Sequence, residues 1–206
     1  MQIKGKELEF LEESHTYLVD GVIVPSITQI LKYKFGKKYQ AVRPEVLKEA
    51  AAKGTAAHKA IEEWCKNGTE SDLKELRNFK FLKDRFGFEV LENEKPVILE
   101  DKNGEVIGAG TLDLVIQMDG KIGGADIKRT ATLDRDYLAH QLNLYRIAYR
   151  QSYGIEWEFL KGLHLREDTR KFVDIPIREE RLWQFLDEWK RNNTEQEGQM
   201  EIPWEN

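Results

Sequence analysis

Two carboxylates face each other across a β-hairpin that the sequence predicts. Asp119-Gly120, between two alternating apolar segments, is a typical two-residue hairpin loop, so that Met118 pairs with Lys121. Counted outward from that pair, Asp113 faces Asp126 in a non-hydrogen-bonded pair, whose Cα atoms lie about 4.5 Å apart. Carboxylates this close repel each other unless a proton or a cation lies between them, so the pattern indicates metal or proton chemistry.

The same face of the hairpin carries further groups that could take part in this chemistry. Lys128 is two residues from Asp126 and shares its face, and Gly124 on that face leaves room for another group to approach. The side chain of Ile127 points into the core, but its carbonyl lies near the carboxylates. The plain alternative is that Asp113 is a solvated strand residue and that Asp126 and Lys128 form a surface ion pair.

Helices and strands on both sides of the hairpin must position these residues. Gly54-Thr55 is expected to interrupt a helix that begins at Pro44, and Pro96 is expected to break a strand. The predicted elements are, in order, a hairpin around Asp20-Gly21, a short helix capped by Ser26, helices 44–53, 55–66 and 71–86 (the last capped by Ser71), strands 88–100, 106–117 and 121–127, a helix 134–152 opened by Asp134, strands 157–165 and 172–175, and a helix 178–191. This order predicts an α/β (α+β) fold with a mixed central β-sheet flanked by helices.

The composition is that of an ordinary globular protein and excludes several classes. With 206 residues, 40% of them hydrophobic and 33% charged, the chain fits a single domain and not a collagen, a disordered polymer or a coiled-coil rod. No apolar stretch approaches a bilayer span, and the N-terminus lacks the apolar core of a signal peptide, so we expect a cytoplasmic protein with no membrane association. The single cysteine, Cys65, excludes an internal disulfide and a four-cysteine zinc or iron–sulfur site.

Charge is unevenly distributed along the chain, although the net charge of −5 gives no overall preference for nucleic acid. A basic segment at 32–43 has no acidic residue and interleaves cations with aromatic residues, which suits phosphates and unpaired bases. Its predicted nucleic-acid-binding residues are Lys32, Lys34, Lys37, Lys38 and Arg43. A solvated loop is an equally good interpretation. The predicted organisation is one domain at 1–193, with 1–43 as its N-terminal extension, followed by an acidic tail at 194–206.

Four motifs in this order resemble those of the PD-(D/E)XK nuclease superfamily, most closely its RecB-like and phage recombination exonuclease branch. The matching residues are Gly54-Thr55-Ala-Ala-His58-Lys-Ala-Ile-Glu62, Gly110-Thr-Leu-Asp113, Asp126-Ile-Lys128 and Gln141-Leu-Asn-Leu-Tyr145. The segment from His15 to Leu31 also looks like phage proteins of this branch. Leu112 stands where the superfamily motif has proline. The four-cysteine cluster of some RecB-like nucleases is absent, so no iron–sulfur cluster is expected.

The resemblance implies a restriction-endonuclease-like core and a DNA exonuclease that hydrolyses phosphodiester bonds with Mg²⁺ or Mn²⁺ in recombination or repair. The implied metal ligands are His58, Asp113, Asp126 and the carbonyl of Ile127. Oxygen ligands suit either ion, and a histidine among them favours Mn²⁺ as well as Mg²⁺. Lys128 would orient or polarise the attacking water and stabilise charge on the phosphate.

Four further residues are candidates whose roles the sequence leaves open, and the resemblance implies a role for the first two of them. Gln141 and Tyr145, one turn apart on a predicted helix, would lie beside the catalytic strands and hold Lys128 or the substrate backbone. Alternatively, Gln141 simply lies at the edge of the apolar face of this helix, and Tyr145 is a core residue. Glu62 and Glu94 would not bind the metal themselves but would orient a water or His58. Alternatively, both are ordinary surface acids.

The resemblance also implies partners, namely DNA, a protein that anneals single strands, and other copies of the chain in a ring-shaped homo-oligomer. A second hypothesis is a non-catalytic DNA-binding module on the same fold, which would bind through the basic segment without cleaving. A third is a replication- or recombination-associated interaction protein that uses the acidic tail as its contact. The complete set of two acids and one lysine favours the nuclease.

Overall fold

The computed structural model describes residues 1–36 and 43–200, and within them it has a mixed α+β architecture with two β-sheets and five helices. The fold class predicted from the sequence is confirmed at this level. The elements are, in order, β1 (Gln2–Ile3), β2 (Lys6–Leu11), β3 (Thr16–Val19), β4 (Val22–Val24), α1 (Ile27–Phe35), α2 (Pro44–Asn67), α3 (Lys74–Phe86), β5 (Glu89–Glu100), β6 (Val106–Met118), β7 (Lys121–Lys128), α4 (Arg135–Tyr153), β8 (Phe159–Leu165), β9 (Arg170–Ile175) and α5 (Glu179–Met200). No helix in the described part of the chain combines the length and the apolar character that crossing a membrane requires.

The first sheet is small and antiparallel, with the strand order β1-β2-β3-β4. The hairpin predicted at Asp20-Gly21 is confirmed, and both turn residues have positive φ angles (51° and 77°), as a two-residue hairpin loop requires. The cap predicted at Ser26 is also confirmed. Its hydroxyl accepts a hydrogen bond from the backbone N–H of Gln29, and its own N–H donates to the Gln29 side chain, which fixes the start of α1.

The second sheet has five strands in the order β5-β6-β7-β8-β9 and carries the candidate site. Neighbouring strands are antiparallel except β7 and β8, which are parallel. A parallel pair needs a crossover connection, and the crossover here contains α4, which is capped by Asp134 as predicted. One apolar cluster joins the sheet to α1, α4 and α5, and a second joins it to α2 and α3, so helices cover the sheet on both sides.

The hairpin formed by β6 and β7 has the predicted register. The pairs run from Met118–Lys121 to Leu114–Ala125 and end one step before the predicted Asp113–Asp126 pair. The side chain of Leu114 is buried against α2 and α3, as expected for the core face of this strand. The hairpin therefore directs the two carboxylates to the opposite face.

The space predicted at Gly124 is occupied by the core. A Cβ atom at Gly124 would lie only 2.0 Å from the ring of Trp157. Trp157 lies just after α4, and its side chain is almost completely buried in the cluster between the sheet and that helix. The glycine therefore serves close packing, and it leaves no room for an approaching substrate.

Three element boundaries predicted from glycine, serine and proline are wrong. Gly54 does not interrupt a helix, since α2 is continuous; one glycine among good helix formers costs only about 1 kcal/mol. Ser71 does not cap α3, which begins at Lys74 after an N-cap at Leu73. Pro96 does not break β5, because β5 is an edge strand and can accommodate a residue that lacks the N–H group.

The C-terminal helix is longer than predicted. α5 continues to Met200, past the expected end at Arg191, so the first residues of the acidic segment are helical. Residues 201–206 lie outside the described residues. The division of the chain at 193 stays a prediction, and it does not coincide with the end of an element.

Candidate metal centre

A cleft of about 500 Å³ lies beside the β6–β7 hairpin, where the first sheet, α2 and α4 meet it. It brings together the residues predicted to bind metal or to catalyse through their side chains: His58, Asp113, Asp126, Lys128, Gln141 and Tyr145. The two further predicted acids, Glu62 and Glu94, also line it. These side chains come from five separate elements, so tertiary folding and not a local segment assembles the cleft.

His58, on α2, faces two carboxylates and one carbonyl group. Its Nε2–H donates a hydrogen bond to the carbonyl of Ile127 (3.0 Å). Its Nδ1 lies 3.6 Å from a carboxylate oxygen of Asp113 and 3.9 Å from one of Glu94, and the ligand atoms of these three residues lie within 4.8 Å of one another. The carbonyl of Ile127, itself a predicted metal ligand, is thus hydrogen-bonded to a second predicted ligand.

These neighbours determine the charge of His58. Burial by itself disfavours the imidazolium, but the carboxylate of Asp113, the hydrogen bond with Glu94 and the carboxylate of Asp126 outweigh it and raise the pKa of His58 to about 9. In the metal-free protein, His58 is therefore a positively charged imidazolium at neutral pH. A metal ion bound at this imidazole would displace that proton.

Asp113 and Glu94 present oxygens to the same space from neighbouring strands. Oδ2 of Asp113 accepts a hydrogen bond from the Ile127 N–H across the hairpin (2.7 Å), which leaves Oδ1 facing the imidazole of His58. Glu94, on β5, presents a carboxylate oxygen to the same imidazole nitrogen, so the three groups face one space. Two carboxylates and one imidazole nitrogen are a donor set that suits Mg²⁺ or Mn²⁺.

Asp126 and Lys128 form a buried ion pair on β7. Nζ of Lys128 lies 2.6 Å from Oδ2 of Asp126, a residue that is only 2% exposed. Burial raises the pKa of Asp126 to about 6, although Lys128 counteracts part of the effect. Burial alone would lower the pKa of Lys128, but the carboxylates of Asp126 and Asp113 raise it. Lys128 is therefore a fixed cation beside the cleft.

Gln141 and Tyr145 line the cleft from α4. Gln141 is 5% exposed, and its Oε1 has no hydrogen-bond partner among the residues that the structure describes. A buried carbonyl oxygen without a partner costs about 1–3 kcal/mol, so this atom is suited to accept a hydrogen bond from a ligand or a water. Tyr145 reaches the site because residue 110 is glycine, since a Cβ atom at Gly110 would lie 3.0 Å from its ring.

Glu62 occupies a more peripheral part of the cleft. Its carboxylate forms an ion pair with Lys66, one turn further along α2. Because the carboxylate is used in this way, the arrangement favours the surface-acid interpretation of Glu62 over a role in orienting His58.

The described members of the predicted nucleic-acid-binding set lie away from this cleft. Lys32 and Lys34 are exposed on α1, and Arg43 is exposed just before α2. Lys34 lines a second cleft of about 650 Å³ beside α4 and α5, where its ammonium donates a hydrogen bond to Nε2 of His140 (2.9 Å). Lys37 and Lys38 fall outside the described residues.

The first sheet contributes a wall of the cleft, a role that the sequence analysis did not predict for it. Phe10, His15 and Tyr17 line it, and the hydroxyl of Tyr17 lies 3.1 Å from Oγ1 of Thr111 on β6. Leu8 and Phe10 alternate with glutamates, a pattern typical of a strand, but such a pattern does not indicate which surface the strand covers. For Glu94 the indication in the sequence is clearer. Once β5 and β6 are recognised as a hairpin, the pairing of these two strands determines which residue of β6 lies opposite Glu94.

Comparison with known proteins identifies no family. No protein-family model matches the chain, and no curated protein matches it as a relative. Among solved structures, the crystal structure of SSO0001 is similar with a TM-score of 0.48 and 16% sequence identity, over 82% of this chain and 75% of that chain. A likeness of this degree supports neither a fold family nor a function.

Proposed function

We propose that the chain is a Mg²⁺- or Mn²⁺-dependent deoxyribonuclease, a DNA exonuclease of the recombination or repair type. The observation that carries this proposal is the meeting of His58, Asp113 and Asp126 with the charged Lys128 in one cleft. Each side chain belongs to a motif through which the sequence resembles PD-(D/E)XK nucleases. Motifs far apart in sequence would have no reason to converge if each were accidental.

The sheet topology agrees with a restriction-endonuclease-like core, which is part of the proposal. The two acids lie on the adjacent antiparallel strands β6 and β7, and α4 leads from β7 to the parallel neighbour β8. α4 returns across the sheet and brings Gln141 and Tyr145 to the carboxylates. A partner that anneals single strands and a ring-shaped oligomer remain predictions from the resemblance.

The donor set of the cleft fits a hard divalent cation. His58, Glu94 and Asp113 would hold the ion, with Asp126 close by on the next strand. Two hydrogen bonds to the Ile127 backbone would keep two of these ligands oriented. Asp113 accepts one from the Ile127 N–H, and His58 donates the other to the Ile127 carbonyl.

In the proposed reaction, a water attacks a backbone phosphate and a new P–O bond forms. The bond to the leaving sugar oxygen breaks, and that oxygen takes up a proton from solvent in exchange for the one that the attacking water gives up. A bound Mg²⁺ or Mn²⁺ would supply Lewis acidity and lower the pKa of the attacking water. Lys128, held as a cation by Asp126, would donate hydrogen bonds to the phosphate and stabilise its developing negative charge. The unpartnered Oε1 of Gln141 would accept a hydrogen bond from the water.

The test is a gel assay of linear DNA, labelled at the 5′ or the 3′ end, in single- and double-stranded form, with a closed circle as the control. Each substrate is incubated with Mg²⁺, Mn²⁺ or EDTA. Asp126→Ala is compared with Asp174→Ala, which removes an exposed acid from β9. We expect metal-dependent loss of linear DNA with the circle spared, abolished by Asp126→Ala and retained in Asp174→Ala.

Other outcomes of this assay are equally decisive. Cutting of the closed circle would make the protein an endonuclease, and a fully active Asp126→Ala protein would contradict the assigned site. DNA binding without cleavage in any metal would favour the non-catalytic DNA-binding module.

A further inference from the structure

Three aromatic rings stand together on the wall of the cleft that the first sheet provides. Phe10 and Tyr17 are cross-strand neighbours on β2 and β3, with ring centres 4.6 Å apart, and His15 packs edge-on against Phe10 at 5.1 Å. Tyr17 is buried, whereas Phe10 is 42% exposed and His15 is exposed as well. We call these three residues the aromatic platform. Tyr17 forms its buried side, and the rings of Phe10 and His15 face the solvent.

The aromatic platform is continuous with the candidate metal centre. The hydroxyl of Tyr17 lies 3.1 Å from Oγ1 of Thr111. Thr111 and Asp113 are two residues apart on β6, so their side chains share one face of that strand. The platform and Asp113 line the same cleft. A chain molecule held by a phosphate near Asp113 would therefore extend over the rings.

The backbone of His15 is held in an unusual conformation that brings its ring to Phe10. Its φ of 52° lies in the left-handed region, and its N–H donates a hydrogen bond to the Glu12 carbonyl in the turn between β2 and β3. Histidine adopts this conformation more readily than most residues, and here the turn holds its ring against that of Phe10. One exposed phenyl ring would carry little weight alone; here its neighbour and its place on the cleft wall support a binding role.

We propose that Phe10 and His15 stack on an unpaired base of the DNA strand whose phosphate lies at the candidate metal centre. This rests on the proposed function and names the form of substrate that the site accepts. Aromatic rings stack on every base, so the platform would hold a strand without reading its sequence. A base within a duplex is already stacked and paired, and so the platform favours a single strand or a frayed end over an intact duplex.

The first experiment removes one base from the substrate. Single-stranded oligonucleotides carry an abasic site at successive positions from the end, and kcat/KM is compared between each of them and the intact strand. Wild-type protein is expected to cleave about tenfold more slowly when the missing base belongs to the nucleotide at the platform. Phe10→Ala is expected to cleave both substrates at the same reduced rate, and Phe10→Trp is expected to keep the discrimination.

A matched control is the next residue on the same strand. Leu11 is 47% exposed and, as the neighbour of Phe10 in β2, points to the opposite face of the sheet. Leu11→Ala is therefore expected to discriminate as the wild type does. Circular dichroism melting of each variant shows that it is folded.

The second experiment observes the stacking directly in the absence of cleavage. Oligonucleotides carrying 2-aminopurine at the same position are bound in Ca²⁺, and the fluorescence of this base falls when it stacks on an aromatic ring. Quenching is expected with wild-type protein and Phe10→Trp, and its loss with Phe10→Ala.

The outcomes separate this proposal from the proposed function. Metal-dependent cleavage without discrimination by the wild type would overturn the platform and leave the nuclease intact. So would a Phe10→Ala protein that slows intact and abasic strands by the same factor and therefore still discriminates between them. Absence of both binding and cleavage in every metal would overturn both. A change of oligomeric state in Phe10→Ala, with discrimination unchanged, would show that Phe10 contacts protein and not DNA.

Discussion

Glu94 lies directly across from Asp113 in the pairing of β5 with β6, between the pairs Asn93–Leu114 and Lys95–Leu112. It holds this place with a φ of 47°, in the left-handed region. For a residue with a side chain, this conformation costs about 1–2 kcal/mol. In this position a carboxylate oxygen of Glu94 lies 3.9 Å from Nδ1 of His58, and an oxygen of Asp113 lies 3.6 Å from the same atom. We infer that Glu94 is itself a candidate metal ligand.

Glu94→Gln is expected to weaken Mn²⁺ binding about tenfold or more, because it removes a negative oxygen from the group that would hold the ion. Isothermal titration calorimetry of the two proteins measures the difference. Glu62→Gln is the matched control, since the carboxylate of Glu62 pairs with Lys66 and its loss should leave the affinity unchanged. Equal weakening by both substitutions would mean that only the total negative charge of the cleft matters.

The ion pair of Asp126 and Lys128 predicts a specific pattern of stability. Lys128→Met leaves a buried carboxylate without its cation and should lower the free energy of unfolding by about 3 kcal/mol. The double variant Asp126→Asn/Lys128→Met leaves no unpaired charge and should recover most of that loss, although on the proposed function neither variant is expected to cleave DNA. Urea unfolding measures both effects. A double variant no more stable than Lys128→Met would show that the pairing is not the cause.

The contact of α5 with α4 predicts a loss of stability in acid. Glu179 accepts hydrogen bonds from Arg150 and Arg146, and chiefly the bond from Arg150 lowers the pKa of Glu179 to about 2, against 4.5 for an ordinary glutamate. A carboxyl group with a lowered pKa stabilises the folded state above its unfolded pKa, and this contribution disappears as the pH falls through the folded value.

Wild-type protein should therefore lose more stability than Glu179→Gln as the pH falls from about 4.5 to 2, because only the wild type has this carboxylate to protonate. Urea unfolding at successive pH values gives the two curves. Glu180→Gln, which changes the exposed neighbouring acid, should follow the wild type. Parallel curves for wild type and Glu179→Gln would rule out this linkage.

The parts of the fold that the sequence predicted depend on local chemistry. Asp119-Gly120 adopts the two left-handed conformations of a tight hairpin turn, and this turn alone determines which residues of β6 and β7 face each other. From that register it followed that Asp113, Asp126 and Lys128 share a face. Ser26 and Asp134 likewise cap their helices through hydrogen bonds within three residues.

The remaining features depend on contacts between distant segments. The left-handed backbone of Glu94 and the position of Phe10 over the cleft follow from the way β5 and the first sheet pack against β6. A pattern of alternating residues is the same whatever surface the strand covers. The Ile127 carbonyl shows the same limit, since its closeness to the carboxylates was predictable and its use by His58 was not.

Two glycines that were misread from the sequence give opposite predictions. Gly54 lies inside α2, where an added Cβ atom would meet nothing within 4 Å beyond the adjacent backbone of the helix itself. Gly54→Ala should therefore raise the free energy of unfolding by about 1 kcal/mol and leave activity intact. Gly124→Ala would drive a methyl group into the ring of Trp157 and should lower it by about 3 kcal/mol, with a loss of metal affinity as β7 shifts. Urea unfolding and Mn²⁺ titration test both. A Gly124→Ala protein as stable as the wild type would contradict the close packing of Trp157 against Gly124 and would indicate open space on that face of β7.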